Sequence, residues 1–269
     1  RRYEIEPIST ARWHLRALHR QGGHGKVAVD RSPPTLTTAM LTDAQLTAIM
    51  PNMPTARRAL FLPALNQTMQ VYTISNRLRA AAFLGQLAHE SGEFRFMEEL
   101  WGPTAQQMRY EPQSSLADRL GNTQPGDGRR YKGRGPIQIT GHANYKRYGE
   151  LLGLDVVSKP ELVATPGVGL SAAGLFWRTN GLNALAELQD YREITRRING
   201  GYNGWEERLR YYEVAKKVLG TGFSVSRSVP VPAAPQSRDG QAPMPFALPA
   251  RIPRSPLGRG QEAIETTAA

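Results

Sequence analysis

The chain has 269 residues, enough for one or two domains and a sizeable buried core. It contains no cysteine, which excludes disulfides and thiolate chemistry, and no apolar run approaches the ~18 residues of a membrane span. A net charge of +11 suits an anionic partner, with nucleic acid, teichoic acid, lipopolysaccharide phosphate and peptidoglycan carboxylates all compatible.

The chain opens at Arg1-Arg2-Tyr3-Glu4 without an apolar signal core, and is expected to be part of a longer polypeptide, so localisation is unknown from the chain itself. Residues 1–37 carry seven Lys/Arg against three Asp/Glu, a Gly22-Gly23-His24-Gly25 break and Ser32-Pro33-Pro34. Thr10 to Arg20 has the make-up of a short basic helix, and the region as a whole reads as an N-terminal segment and linker. Residues 38–221 form the predicted catalytic domain, with mostly helical signals. Thr42-Asp43-Ala44-Gln45 has the form of a capping box opening a helix over 44–50, which Pro51 stops. Further helices are predicted over about 75–90, 169–179, 193–198 (stopped by Asn199-Gly200-Gly201) and 205–219. From 222 to 269 periodicity is lost, eight prolines fall between Pro230 and Pro256, and a disordered or extended tail is expected.

Chemistry concentrates at residues 89–140. The stretch Ala80 to Ala88 is apolar nearly all round, apart from Gln86, so its helix should be buried. Glu90 follows Leu87 by three residues and Phe83 by seven, which sets its carboxylate on the same face. Desolvation there would raise its pKa, as a general acid needs; the plainer alternative is a helix-terminal Glu in a surface ion pair. His89 has no second histidine at a metal-ligand spacing, so no metal or other cofactor is expected and a supporting role suits it. Glu98 and Glu99 follow past Ser91-Gly92, which can turn the chain back, so that a carboxylate here faces Glu90 across a cleft as general base; a solvated acidic pair is the alternative. Trp101, on a Gly-Pro turn, suits sugar stacking or core packing. Pro136 to Thr140 alternates with period two, as in a short strand with Ile137 and Ile139 on the core and Gln138 and Thr140 facing an N-acetyl group or the attacking water.

These segments together resemble glycoside hydrolase family 19, the chitinase-like family that also includes phage and bacterial endolysins. The resemblance runs from about Leu41 to Leu219. It is carried by Ala81 to Gly92 (AAFLGQLAHESG), Glu99 to Thr104 (ELWGPT), Gly133 to Thr140 (GRGPIQIT), Asn144-Tyr145 and Ile198 to Gly201 (INGG). The absence of cysteine is similar to its bacterial and phage branch. The resemblance implies a mainly helical, lysozyme-like fold of two lobes with a small strand or hairpin element. It implies Glu90 as general acid and Glu99 as general base of an inverting mechanism, whose carboxylates lie roughly 6.5–9.5 Å apart. Thr140 would hold the attacking water, and Gln138, Asn144, Tyr145 and Asn199 match substrate-contacting positions. Arg208 matches a basic residue that supports the acid, and with His89 and Trp101 it completes the expected binding set. If the loop is registered differently, Glu98 takes the base role.

The expected polymer is peptidoglycan, with chitin as the alternative, acted on by a monomer at the bacterial cell wall. Two other classes compete: a catalytically inactive sugar-binding module and a nucleic-acid-binding protein. Against the latter, residues 38–221 hold 22 basic and 17 acidic side chains, so much of the excess charge lies in the two appendages.

Overall fold

In a computed structural model the described residues are 40–225. The expectations for residues 1–37, including the basic helix, and for the tail beyond Val225 lie outside them. The described chain forms eleven α-helices: α1 Asp43–Ile49, α2 Thr55–Val71, α3 Arg77–Ser91, α4 Ala105–Met108, α5 Ser115–Leu120, α6 Asp127–Arg130, α7 His142–Leu152, α8 Pro166–Thr179, α9 Leu182–Glu187, α10 Tyr191–Asn199 and α11 Trp205–Leu219. A 3-10 turn at Pro160–Ala164 precedes α8. None of these helices is long and apolar enough to cross a membrane. The architecture is the mainly helical, lysozyme-like one expected.

Local chemistry sets most helix ends. Thr42 and Gln45 close the predicted capping box on α1, each side chain taking the other's backbone N–H. Asn76 caps α3 through Arg79 N, Asp190 caps α10 through Glu193 N, and Gly200 ends α10 in the left-handed conformation. The last helix spans the predicted residues, whereas α3 starts two residues later and α8 three residues earlier than expected.

One apolar core runs from Leu41 to Val225, and α3 passes through it with every residue from Ala80 to Ser91 buried. The most extensive helix contact is between α3 and α11. Gly85 makes it possible: a Cβ there would fall 2.8 Å from the Tyr191 hydroxyl and 3.0 Å from the Tyr212 backbone N. A smaller cluster, Tyr110, Leu116 and Leu120 with Trp101 against it, packs beside the α4–α5 region.

Two expectations change. Residues 136–140 are not a strand. Among the described residues β pairing is confined to isolated bridges, two of which join Glu98, Arg134 and Ile139. Arg134 and Ile139 exchange both backbone bonds around a tight turn in which Gly135 and Gln138 take positive φ, so Ile137 sits in the bend, buried but unpaired. The reason is local: a four-residue reversal consumes the residues that period two assigned to a strand. The domain end also moves. Phe223 and Val225 are 6% and 5% exposed, and Val225 donates to Ser75 O at 2.7 Å, so the folded unit continues past the predicted boundary at Thr221.

Candidate active site

Glu90 sits in the last turn of α3 and is only 6% exposed. The surface alternative is therefore wrong, and so is a purely apolar setting. Arg208 of α11, with no exposed surface, forms an ion pair with Glu90 through Nη2 and a second bond to Gln86 Oε1 through Nη1. Its Nε donates to Asn203 O at 3.1 Å. Gln86, one turn before Glu90, donates in turn to Thr195 Oγ of α10 at 2.8 Å. The one polar residue in the apolar stretch of α3 is thus a bracket for the guanidinium that holds Glu90.

His89 is buried beside it. Its Nδ1 lies 2.6 Å from Glu207 Oε2, and its ring rests on Gly204, where a Cβ would come within 2.2 Å of Cε1. As a braced, buried ring it supports the α3–α11 junction. Among the described residues no three His, Asp or Glu side chains converge as metal ligands.

The link from Glu90 to the acidic pair is a run of three left-handed residues, Gly92, Glu93 and Phe94, with φ of 58°, 58° and 59°. Two of them are not glycine, which costs on the order of 1–3 kcal/mol each. Surrounding contacts hold them. Glu93, 1% exposed, accepts from Asn52 N (2.6 Å), Asn52 Nδ2 (2.8 Å) and the Tyr211 hydroxyl (2.7 Å). Phe94 stacks on Phe61 at 4.7 Å, and Ser91 Oγ accepts from Phe94 N.

Beyond that turn the two adjacent carboxylates diverge. Glu98 is bonded to Arg134 Nε at 2.9 Å and Lys132 Nζ at 3.2 Å. Partial burial opposes ionisation, yet the two cations outweigh it and hold the Glu98 carboxyl below its ordinary value. Glu99 faces neutral donors instead: Gln107 Nε2 at 3.0 Å on Oε1 and Gly133 N at 3.0 Å on Oε2, while its own N–H donates to Gly133 O. A Cβ at Gly133 would lie 2.7 Å from Gln138 Oε1, 3.3 Å from Thr140 Oγ and 3.4 Å from Glu99 Oε2. Three oxygens from three predicted residues therefore converge over one glycine, where a side chain would collide with them.

The other predicted residues sort by burial. Thr140 donates its hydroxyl to Gln138 O, and Asn144 Nδ2 donates to Thr140 O, so both fix the turn that presents Gln138. Asn199 ends α10 with a buried Nδ2 that has no hydrogen-bond partner among the described residues. Trp101 is half-buried against Tyr110. Two expected binding residues cannot touch a substrate in this structure. Tyr145 is fully buried, accepting from Arg134 Nη1 and donating to Lys132 O behind the turn, and Arg208 is sealed under Glu90. Gln86, Gln107, Thr195 and Glu207 join the site only in the folded structure. Of these only Gln86 carried a signal, as a lone amide in an apolar helix.

A helical fold that holds one buried, cation-backed carboxylate at a helix end and a second carboxylate among neutral donors beyond the following turn supplies the two carboxyl groups that glycoside hydrolysis requires. The comparisons narrow the class. The family model described as chitinase class I matches residues 59–187. A glycosyl hydrolase family 19 domain-containing protein of Haemophilus influenzae is 40% identical over 161 residues, covering 51% of this chain and 78% of that protein. An endochitinase of Arabidopsis thaliana is 39% identical over 130 residues, 48% of this chain and 41% of its own length, so the chain spans less than half of that relative. In fold, chitinase C from Streptomyces griseus superposes over 72% of this chain and 99% of its own with a TM-score of 0.54 at 23% identity. The chain belongs to glycoside hydrolase family 19.

Proposed function

We propose that this domain hydrolyses β-1,4 bonds between N-acetylated sugars of peptidoglycan by an inverting mechanism, with Glu90 as general acid and Glu99 as general base. The observation that carries the reading is the contrast between the two carboxylates. Glu90 rests on a buried guanidinium. As its proton passes to the leaving oxygen, charge develops on a carboxylate that Arg208 already faces, which favours the transition state over the ground state. Glu99 has an N–H donor on each oxygen and sits beside Thr140 and Gln138, a setting that stabilises a carboxylate able to take a proton from water.

The net charge of +11 favours an anionic wall polymer. Chitin is the second reading, favoured by the endochitinase name of the Arabidopsis relative. Mass spectrometry of fragments released from purified peptidoglycan and from chitin oligomers separates the two, and NMR of the earliest product should show the α-anomer. Glu90→Gln keeps an amide oxygen for Arg208, so it should fold with a lowered melting temperature and lose at least ~10²-fold in rate. Near-wild-type activity of that variant, or an initial β-anomer, would overturn the mechanism.

A further inference from the structure

Gln107 lies in the first turn of α4, where the sequence Thr104-x-x-Gln107 reads as nothing more than a capping box. A capping glutamine needs only its carbonyl oxygen, and the Gln107 carbonyl does this work, accepting from Thr104 N at 2.9 Å and Gly102 N at 3.2 Å. Its amide nitrogen, however, is not in water. Gln107 is 2% exposed, and Nε2 donates to Glu99 Oε1 at 3.0 Å and to Leu100 O at 2.7 Å. All the hydrogen-bonding capacity of this side chain is therefore spent across one short segment, residues 99–104. We infer that Gln107 is a positioning residue for the base: it fixes the rotamer of Glu99 and helps stabilise its charge, while clamping the exposed Leu100–Thr104 turn to the same carboxylate. This inference rests on the proposed role of Glu99 and adds to it the group that holds the base in place.

The physical case is one of competition. Glu98, its neighbour in the chain, has its negative charge met by Lys132 and Arg134. The other titratable groups facing it are Tyr110 and Tyr145; burial above all pushes both phenols far up, so they stay neutral across the working range. The donors on Glu99 are thus Gln107 and the Gly133 N–H, and only the former is a side chain that substitution can invert. Gln107→Glu keeps an oxygen for Gly102 N and Thr104 N but sets a second carboxyl oxygen against Glu99 Oε1. Gln107→Met removes the donor without adding charge. Thr104→Ala removes the hydroxyl that accepts from Gln107 N, and so weakens the cap without touching Glu99.

The test is the pH dependence of kcat/KM on a soluble chitin oligomer, with thermal melting of each variant alongside. Gln107→Glu should move the acid limb to higher pH by at least about one unit, because a like charge disfavours the ionised base. Gln107→Met should move it in the same direction, with a fall in kcat larger than the change in KM. Thr104→Ala should melt at lower temperature and keep the wild-type limb. If Gln107→Glu fails to fold, the limb of Gln107→Met decides. Wild-type limbs in both Gln107 variants, with melting losses like that of Thr104→Ala, would reduce Gln107 to a cap and overturn the inference. An active Glu99→Ala protein would instead sink the reading of the base itself, so the two failures are distinguishable.

Discussion

Glu98 and Glu99 are neighbours in the chain with opposite surroundings. A β-like bridge turns successive side chains to opposite sides, which sends Glu98 to Lys132 and Arg134 and leaves Glu99 over Gly133. Glu99→Ala should therefore lose at least ~10²-fold in rate, whereas Glu98→Ala should retain activity within a few-fold. The reverse pattern in a hydrolysis assay would put the base one residue earlier. Glu98 should register in stability instead. Its folded-state pKa lies below the ordinary value of 4.5, so its ion pairs stabilise the fold fully above that pH and lose their contribution as pH falls through the folded value. The carboxylate is largely exposed, and the pair is worth only ~0.2–1 kcal/mol. The melting difference between wild type and Glu98→Ala should accordingly be small at pH 7 and vanish in acid.

At the scale of elements, the distance between the two candidate carboxylates is set by the left-handed run after α3. Gly92 is an ordinary helix end, but Glu93 and Phe94 hold the same conformation only because their surroundings over-determine it: Phe61 of α2, Asn52 in the turn before α2, and Tyr211 of α11. Among the described residues Glu93 has no ion-pair partner, and three neutral donors satisfy it. Glu93→Gln would turn an N–H₂ group towards one of them and leave a buried pair unmatched, at a cost of about 1–3 kcal/mol. Thermal melting should show a loss of several degrees, accompanied by lower activity, because Glu99 hangs from the same turn. An unchanged melting temperature would mean that the turn is held by Phe94 packing alone. Helix α2 was itself invisible to periodicity. Pro63 lies inside it, on the exposed face, and two of its buried residues are the polar Asn66 and Thr68, with Asn66 clasping both backbone groups of Leu41. Helix α7 escaped notice for a related reason, since its buried face is Tyr145, Tyr148 and Gly149 and not an aliphatic stripe.

For the whole molecule, the decisive boundary is at the C-terminal end of the described chain. Phe223 and Val225 are buried, and Ser224 bridges to Asn76, the residue that caps α3. A chain ending at Thr221 would lose two buried apolar side chains worth ~1.5–3 kcal/mol each, together with the Val225–Ser75 backbone bond. It should melt well below the full chain, while one ending at Val225 should melt with it and cleave small soluble oligomers equally well. Equal melting of both truncations would return the boundary to Thr221, and loss of oligomer cleavage by the longer one would assign residues after Val225 to the catalytic unit.

What the sequence determined by itself is local. Caps at Thr42 and Gly200, the limits of α11, the burial of α3 and the family motifs are written in neighbouring residues, because helix hydrogen bonds join positions four apart and apolar faces repeat every three or four. The motifs also mark Glu90, Glu99, Gln138 and Thr140 as the candidate chemistry-bearing residues. Only the tertiary structure decided which partners those residues have. Arg208 lies 118 residues from Glu90, Thr195 lies 109 from Gln86, and Gly133 lies 34 from Glu99. It also sealed Tyr145 and Arg208 away from the surface and turned a predicted strand into a reversal. Partners at such separations leave no period in the sequence. They are chosen when buried polar groups must find each other as the core closes, since an unmatched one costs more than the bond that satisfies it returns.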